Sequence, residues 1–259
     1  MNEIDVNCDM GESFGHFVIG QDEAIMPFVS SVNIACGFHG GDPRIIHNTI
    51  RLAQKYKVAI GAHPSYPDLA GFGRRDMPLD AQEVYDIVLY QIGAVGAFAR
   101  AGGIKLHHVK PHGALYNKAA GDAEIAAAIV NAVYYFDPSL ILYGPPMSQM
   151  MMAAFNTGIS FCAEAFADRT YTANGQLTPR QHPDALIANE NKAIEQVLQI
   201  IQHKTVNTTD GHTIPMDAQT ICIHGDGKHA LQIASKLHSA LTEKGVSVVA
   251  PATADEGSK

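Results

Sequence analysis

Residues 32–61 read VNIACGFHGGDPRIIHNTIRLAQKYKVAIG and hold one complete β–α–β unit. The apolar run at 32–36 is what a parallel strand covered on both faces requires. Asp42 is a good helix N-cap and Pro43 suits the first helical turn, so a helix runs from there to about Lys57. A second apolar run, 58–61, follows at once. Strands joined in this way are parallel, with a right-handed crossover. The alternation continues outward in both directions. Strand-like runs stand at 4–8, 106–109, 140–143, 161–165 and 221–223, and helical segments at 80–101, 122–136, 146–157, 183–202 and 228–244. Within 80–101, Val84, Ile87, Val88, Gln91, Val95 and Phe98 recur at three-to-four spacing, and Gly102-Gly103 stops the helix. Met150, Met151 and Met152 read as core packing. With no reversal and no linker, the units close into an irregular, seven-stranded parallel β/α barrel, TIM-like, as a single domain over residues 1–259. The run at 246–250 is short and ends at Pro251, which makes it a poor eighth strand. Polar stretches at 167–182 and 204–219 read as excursions at the rim, the second with the turn signal Thr209-Asp210-Gly211-His212.

The chain is 46% hydrophobic and 17% charged, with a net charge of −8. That is apolar enough to bury a large core, and it lacks the basic excess of a nucleic-acid or membrane-surface binder. No run of 18 apolar residues predicts a membrane span, and the N-terminal residues do not resemble a signal peptide, so the expected location is cytoplasmic. Cys8, Cys36, Cys162 and Cys222 form no CxxC pair and read as buried free thiols.

In a β/α barrel the residues at the C-terminal strand ends share one mouth. Here the first end holds Asp9 and Glu12, the second His39 and Asp42, and the third His63. The fourth holds Lys110 and His112, the sixth Glu164, Asp168 and Arg169, and the seventh His224 and Asp226. Only the fifth, Gly144-Pro145-Pro146, lacks an ionisable group. Carboxylates, imidazoles and an ammonium gathered at one end supply general acids, bases and anion holders. Asp42 also has a plain role as helix cap, and Asp168-Arg169 could be a salt-bridged loop. Asp9, His39 and His63 are the candidate ligands of a divalent metal, though no compact metal motif joins them. The chain has no P-loop and no GxSxG elbow. Gly71-Phe72-Gly73-Arg74-Arg75 is the nearest thing to an anion-binding loop, and it reads equally well as a surface turn.

Several stretches resemble the LamB/YcsF family: NCDMGESFG at 7–15, NIACGFHGGDP at 33–43, GAHPSYPD at 61–68 and GFGRR at 71–75. VKPHGALYN at 109–117, ADRTY at 167–171 and ICIHGD at 221–226 complete the likeness, which spans about 3–250. The departures are Gly40, where the family pattern has Ala, and Gly227-Lys228, where Asn-Pro is usual. The resemblance implies an irregular seven-stranded barrel akin to glycoside hydrolases and polysaccharide deacetylases. It implies hydrolysis of 5-oxo-L-proline to L-glutamate with ATP as co-substrate, and partner subunits B and C. On this reading Asp9, His39 or His63 activates water, while Lys110 with Arg74 or Arg75 holds a phosphate or the substrate carboxylate. Glu12 and His112 belong to the catalytic group, and Glu164, Asp168, Arg169, His224 and Asp226 to the binding group. A homo-oligomer stays open. Two rivals remain: a metal-dependent amidohydrolase resembling the polysaccharide deacetylases, and a lactam-binding subunit without catalysis.

Overall fold

The computed structural model describes residues 3–253. The chain opens with β1 (Glu3–Met10), α1 (Asp22–Ile25), a 3₁₀ turn (Met26–Phe28), β2 (Ser31–Ala35), α2 (Pro43–Tyr56), β3 (Ala59–His63) and α3 (Ala81–Ala101). It continues with β4 (His108–Val109), α4 (Gly113–Gly121), α5 (Ala123–Phe136), β5 (Ile141–Gly144), α6 (Gln149–Thr157) and β6 (Ser160–Phe166). The last part holds α7 (Glu190–His203), β7 (Thr205–Asn207), β8 (Thr213–Pro215), β9 (Thr220–His224), α8 (Ala230–Glu243) and β10 (Ser247–Val248).

Strands β1, β2, β3, β4, β5, β6 and β9 are parallel neighbours in that order, and β9 pairs back onto β1. The barrel is therefore closed by seven strands, as expected. The run at 246–250 is no stave: β10 only flanks the start of β1, pairing Ser247 with Glu3 and Val248 with Ile4. The excursion at 204–219 carries the antiparallel hairpin β7–β8, turning through the expected Asp210-Gly211. Among the described residues no helix is long and apolar enough to cross a membrane.

The strand registers bring the chemistry to one level. Asp9 stands beside Asn33 on one side and His224 on the other, and Asn33 stands beside Gly61, which stands beside His108. Helix caps hold the connecting segments. Asp42 accepts from the Arg44 and Ile45 amides, and Asp80 and Glu83 form a capping box at the start of α3. Asp42 also accepts from the Gly15 amide at 2.9 Å, tying the loop after β1 to α2.

Three expectations change. The helix expected over 183–202 begins only at Glu190, because 183–189 folds back on the loop after β6, where Ile187 donates to the Asp168 carbonyl. Met150 is buried, but Met151 and Met152 are 42% and 56% exposed, so one residue of the triplet packs in the core. Helix α4, starting directly after His112, is additional to the expected helices: Gly113 has φ +58°, where a Cβ would lie 2.4 Å from the Gly73 carbonyl oxygen. All four cysteines are buried and free.

Candidate functional site

Strand β1, EIDVNCDM, alternates strictly. Ile4, Val6, Cys8 and Met10 join the apolar layer between strands and helices. Asp5, Asn7 and Asp9 make hydrogen bonds inside the barrel. Lowest lies Asp5, which accepts from Ser30 Oγ at 2.6 Å, Ser31 Oγ at 2.7 Å and Thr220 Oγ1 at 2.6 Å. Burial raises its pKa, partly offset by those hydroxyls. Above it, Asn7 donates to Thr220 Oγ1 at 2.7 Å and to Glu164 Oε1 at 2.9 Å. Asn33 donates to Asn7 Oδ1 at 2.7 Å and Asp9 Oδ1 at 2.8 Å, and accepts from His108 Nε2 at 2.8 Å. His108 reaches across from β4 because Gly61, its neighbour on β3, has no side chain: a Cβ there would lie 2.1 Å from His108 Nε2. The lumen of this barrel is thus filled by a connected polar network.

Lys110 crowns that network. Its Nζ lies 2.8 Å from Glu164 Oε1, 3.0 Å from Asp9 Oδ1, 3.2 Å from Asn7 Oδ1 and 2.9 Å from Cys222 Sγ. Burial alone would lower the pKa of such an amine, but Asp9, Cys222 and Glu164 drive it well above its usual value. Lys110 is therefore a fixed cation and no proton acceptor at neutral pH. Asp9 shows the counterpart: burial would raise it, yet the His63 and Lys110 charges hold it well below the usual carboxylate range.

Beside Asp9 stands a group of imidazoles. His63 Nδ1 donates to the Lys110 carbonyl at 2.7 Å, and His112 Nε2 donates to the Phe72 carbonyl at 2.9 Å. A carbonyl oxygen can only accept, so both tautomers are set. The remaining nitrogens, His63 Nε2 and His112 Nδ1, face each other at 2.9 Å. Two lone pairs at that distance repel unless a proton or a metal ion lies between them. Glu12 Oε1 is 3.6 Å from His112 Nδ1 and 3.3 Å from His39 Nε2. Donor atoms of Glu12, His39, His63 and His112 all lie within 4.8 Å of one another. The His39 and His112 rings are stacked 3.8 Å apart at 4°, so one ion cannot lie in the plane of both. Burial pushes His39 and His112 well below the usual imidazole range; burial and then the Asp9 charge push Glu12 well above that of a carboxyl. Asp9, Cys222 and His224 form a second group of that kind, but the Lys110 ammonium already stands on Asp9 and Cys222.

A cavity of about 780 Å³ opens over this layer. Of the residues expected from the sequence, Asp9, His63, Lys110, His112 and Glu164 line its floor, and Arg74, Arg169 and His224 its wall. Glu12 and His39 lie buried behind His63 and His112 and are not part of the lining. Asp226 pairs with Arg74 at 2.6 Å, and Asp168 accepts from His224 Nδ1 at 2.9 Å. Arg169 donates to the Ala185 and Thr178 carbonyls and so ties the excursion to the barrel; burial and then Arg180 lower it to about 10, still cationic at neutral pH. Arg75 does not join the cavity: it pairs with Asp68 and its side chain is 67% exposed. The metal triad Asp9, His39 and His63 is also rearranged, since Asp9 is taken up by Lys110 and Asn33 while Glu12 and His112 stand with the imidazoles.

Asn7, Asn33, His108 and Cys222 are additional to the site residues expected from the sequence; the alternation of β1 marks Asn7 as a lumen position. Arg180 and Tyr116 are additional as well, and line the cavity from the excursion and from α4. Nothing in their local sequence points to the cavity.

The family model described as the LamB/YcsF family matches residues 4–256. The A subunit of a 5-oxoprolinase from Bacillus cereus (strain AH187) is 53% identical over 252 residues, which is 97% of this chain and 100% of that protein. The crystal structure of a lactam utilization protein from Thermus thermophilus superposes with a TM-score of 0.91 at 46% identity, covering 96% of this chain and 100% of that one. The catalytic domain of a peptidoglycan N-acetylglucosamine deacetylase from Eubacterium rectale ATCC 33656 shares the fold alone, with a TM-score of 0.51 at 8% identity over 97% of this chain and 89% of that one.

Proposed function

The chain belongs to the LamB/YcsF family, and from that premise we propose that it is the lactam-opening barrel of an ATP-dependent 5-oxoprolinase. With partner subunits B and C it converts 5-oxo-L-proline to L-glutamate. The observation that carries this reading is the cavity floor, where a fixed cation, Lys110, adjoins an ionised Asp9 and the tautomer-set His63. A five-membered lactam is a stable amide with a poor leaving group. Phosphorylating its carbonyl oxygen makes the carbon electrophilic and weakens the ring C–N bond. Lys110 is suited to the negative charge that develops on the carbonyl or phosphoryl oxygens. Arg74 and Arg180, at the wall, suit the substrate carboxylate or the phosphate. Among the three groups expected to activate water, His39 does not line the cavity, and Asp9 is too weak a base at its depressed pKa. His63 takes that role, with Nε2 toward Asp9 at 3.4 Å.

The donors also suit a divalent cation. In that case His63 Nε2, His112 Nδ1 and Glu12 would hold it, with His39 stacked behind His112, and His63 would be a ligand in place of the base. Bound there, it would supply positive charge to polarise an amide carbonyl.

The test is glutamate formation from 5-oxo-L-proline and ATP, measured for this chain alone, for B plus C, and for all three. We expect turnover only with all three, since the chain has no P-loop. Robust ATP-dependent turnover by this chain alone, or full activity of B plus C without it, overturns the reading. ATP-independent hydrolysis abolished by a chelator would instead support the metal-dependent amidohydrolase, the reading that the facing imidazole nitrogens favour.

A further inference from the structure

Arg74, Arg169 and Arg180 bring three guanidiniums to one cavity. Two of them are committed to the protein. Arg74 pairs with Asp226 at 2.6 Å. Arg169 donates from Nε to the Ala185 carbonyl at 3.2 Å and from Nη2 to the Thr178 carbonyl at 2.6 Å. Arg180, half-buried on the excursion, makes no hydrogen bond and no ion pair with any described residue. The carboxylates that act on its charge each have a cation of their own: Asp226 has Arg74, Asp168 has His224 at 2.9 Å and Asp9 has Lys110 at 3.0 Å. Burial and then the Arg74 charge lower the Arg180 pKa, the mark of a cation short of counter-charge. The loop that carries it is anchored. Arg169 holds its two ends through Thr178 and Ala185, and Thr178 also donates to the Thr170 carbonyl at 3.0 Å and accepts from Thr170 Oγ1 at 2.8 Å. A half-buried guanidinium with its donors unused, on an anchored loop over a cavity, is a site for an anion, and its planar fork matches a carboxylate.

We propose that Arg180 binds the carboxylate of the substrate and makes the site selective for acidic over neutral lactams. The assignment rests on the 5-oxoprolinase reading, which supplies the ring. In 5-oxo-L-proline the ring nitrogen separates the carbonyl carbon from the carbon that bears the carboxylate. A phosphoryl group formed on the carbonyl oxygen stays with the carbonyl, at the floor beside Lys110 and His63. The carboxylate, on the other side of the nitrogen, is left for the wall. There Arg74 and Arg169 have acceptors already, and Arg180 has none among the described residues.

The experiment is calorimetric titration of the full chain with 5-oxo-L-proline and with 5-oxo-L-prolinamide, which keeps the ring and replaces the carboxylate by a neutral group. The wild type is expected to prefer the acid by about 10- to 100-fold, the worth of hydrogen bonds between charged groups. Arg180→Met should abolish that preference and leave affinity for the amide unchanged. A merely structural role would weaken both ligands together. Equal wild-type affinity for the two, no binding of either by the wild type, or a preference that survives in Arg180→Met overturns the assignment. A third titration, with inorganic phosphate, tests the other anion: phosphate binding lost in Arg180→Met while the preference for the acid is kept would give Arg180 to the phosphoryl group instead. Should Arg180→Met fail to fold, Arg180→Gln takes its place in the same comparison. The three-subunit turnover assay is separate: if it fails while the acid preference depends on Arg180, the 5-oxoprolinase reading falls and the acidic-lactam site stands.

Discussion

Asp9 accepts from Asn33 Nδ2 and Lys110 Nζ, and faces His63 Nε2 at 3.4 Å. Its charge is one of the two that hold the buried Lys110 ammonium. Asp9→Asn keeps the shape and removes that charge, and Lys110 keeps Glu164 as its partner. Turnover in the proposed three-subunit assay should drop on the order of 10²-fold or more, and the melting temperature should fall too, because the buried Lys110 ammonium loses one of its two carboxylates. Near-wild-type turnover would reduce Asp9 to a turn-former. His39 and His63 pose a different question, because their rings stand 5.5 Å apart on either side of the Glu12 and His112 contacts. Groups that work as a unit are not additive. Turnover of His39→Ala/His63→Ala should therefore be hardly lower than that of the worse single variant. Losses that multiply across the cycle would show two independent sites.

At the scale of elements, each strand end delivers a side chain only because a loop is anchored behind it. Asp42 illustrates this. It caps α2 through the Arg44 and Ile45 amides and also grips the Gly15 amide, so one carboxylate fixes the helix and the β1 loop that carries Glu12. The expected loss for Asp42→Ala is about 1 kcal/mol of stability from the cap, read by urea denaturation, together with faster amide exchange at Gly15. An unchanged Gly15 exchange rate would confine Asp42 to its helix. The cap role is legible from Asp42-Pro43 alone, because N-caps follow local backbone rules. The second role is not, since it joins residues from separate loops. Strand β1 shows the reverse case. Its alternation of Ile4, Val6, Cys8 and Met10 with Asp5, Asn7 and Asp9 is in plain view, yet it passes for an apolar run because parallel strands are ordinarily apolar on both faces.

At the scale of the whole molecule, the barrel carries a polar lumen, and that has a consequence for stability. Asp5 at its lower end has a raised pKa, mainly through burial. Below about pH 4, the value of a free carboxyl, both folded and unfolded chains hold the proton and nothing is lost. As pH rises the unfolded chain ionises first, so Asp5 lowers stability progressively until the folded carboxyl also ionises. Asn cannot ionise. Urea titrations at about pH 4.5 and 7.5 should thus show the stability of Asp5→Asn, relative to wild type, rising toward the higher pH. A difference independent of pH would mean that the Ser30, Ser31 and Thr220 hydroxyls satisfy the charge in full.

From its own residues the chain determined the barrel, its seven-strand closure, the hairpin at 209–212 and the end of the barrel where the chemistry collects. These follow from short-range causes: apolar runs, caps, glycine turns, and the rule that parallel units wind one way. The tertiary structure decided which ionisable groups meet. Arg75 and Arg74 are adjacent in sequence, yet one turns to Asp68 at the surface and the other into the cavity. Asp9 and His39 look like partners on a metal from their strand ends, but Lys110, from a strand three places away, reaches Asp9 first. Tyr116 and Arg180 give no local sign because their roles depend on what α4 and the rim excursion face. Pairing of charges inside a barrel depends on register and on lumen width, and both arise only when all seven strands close.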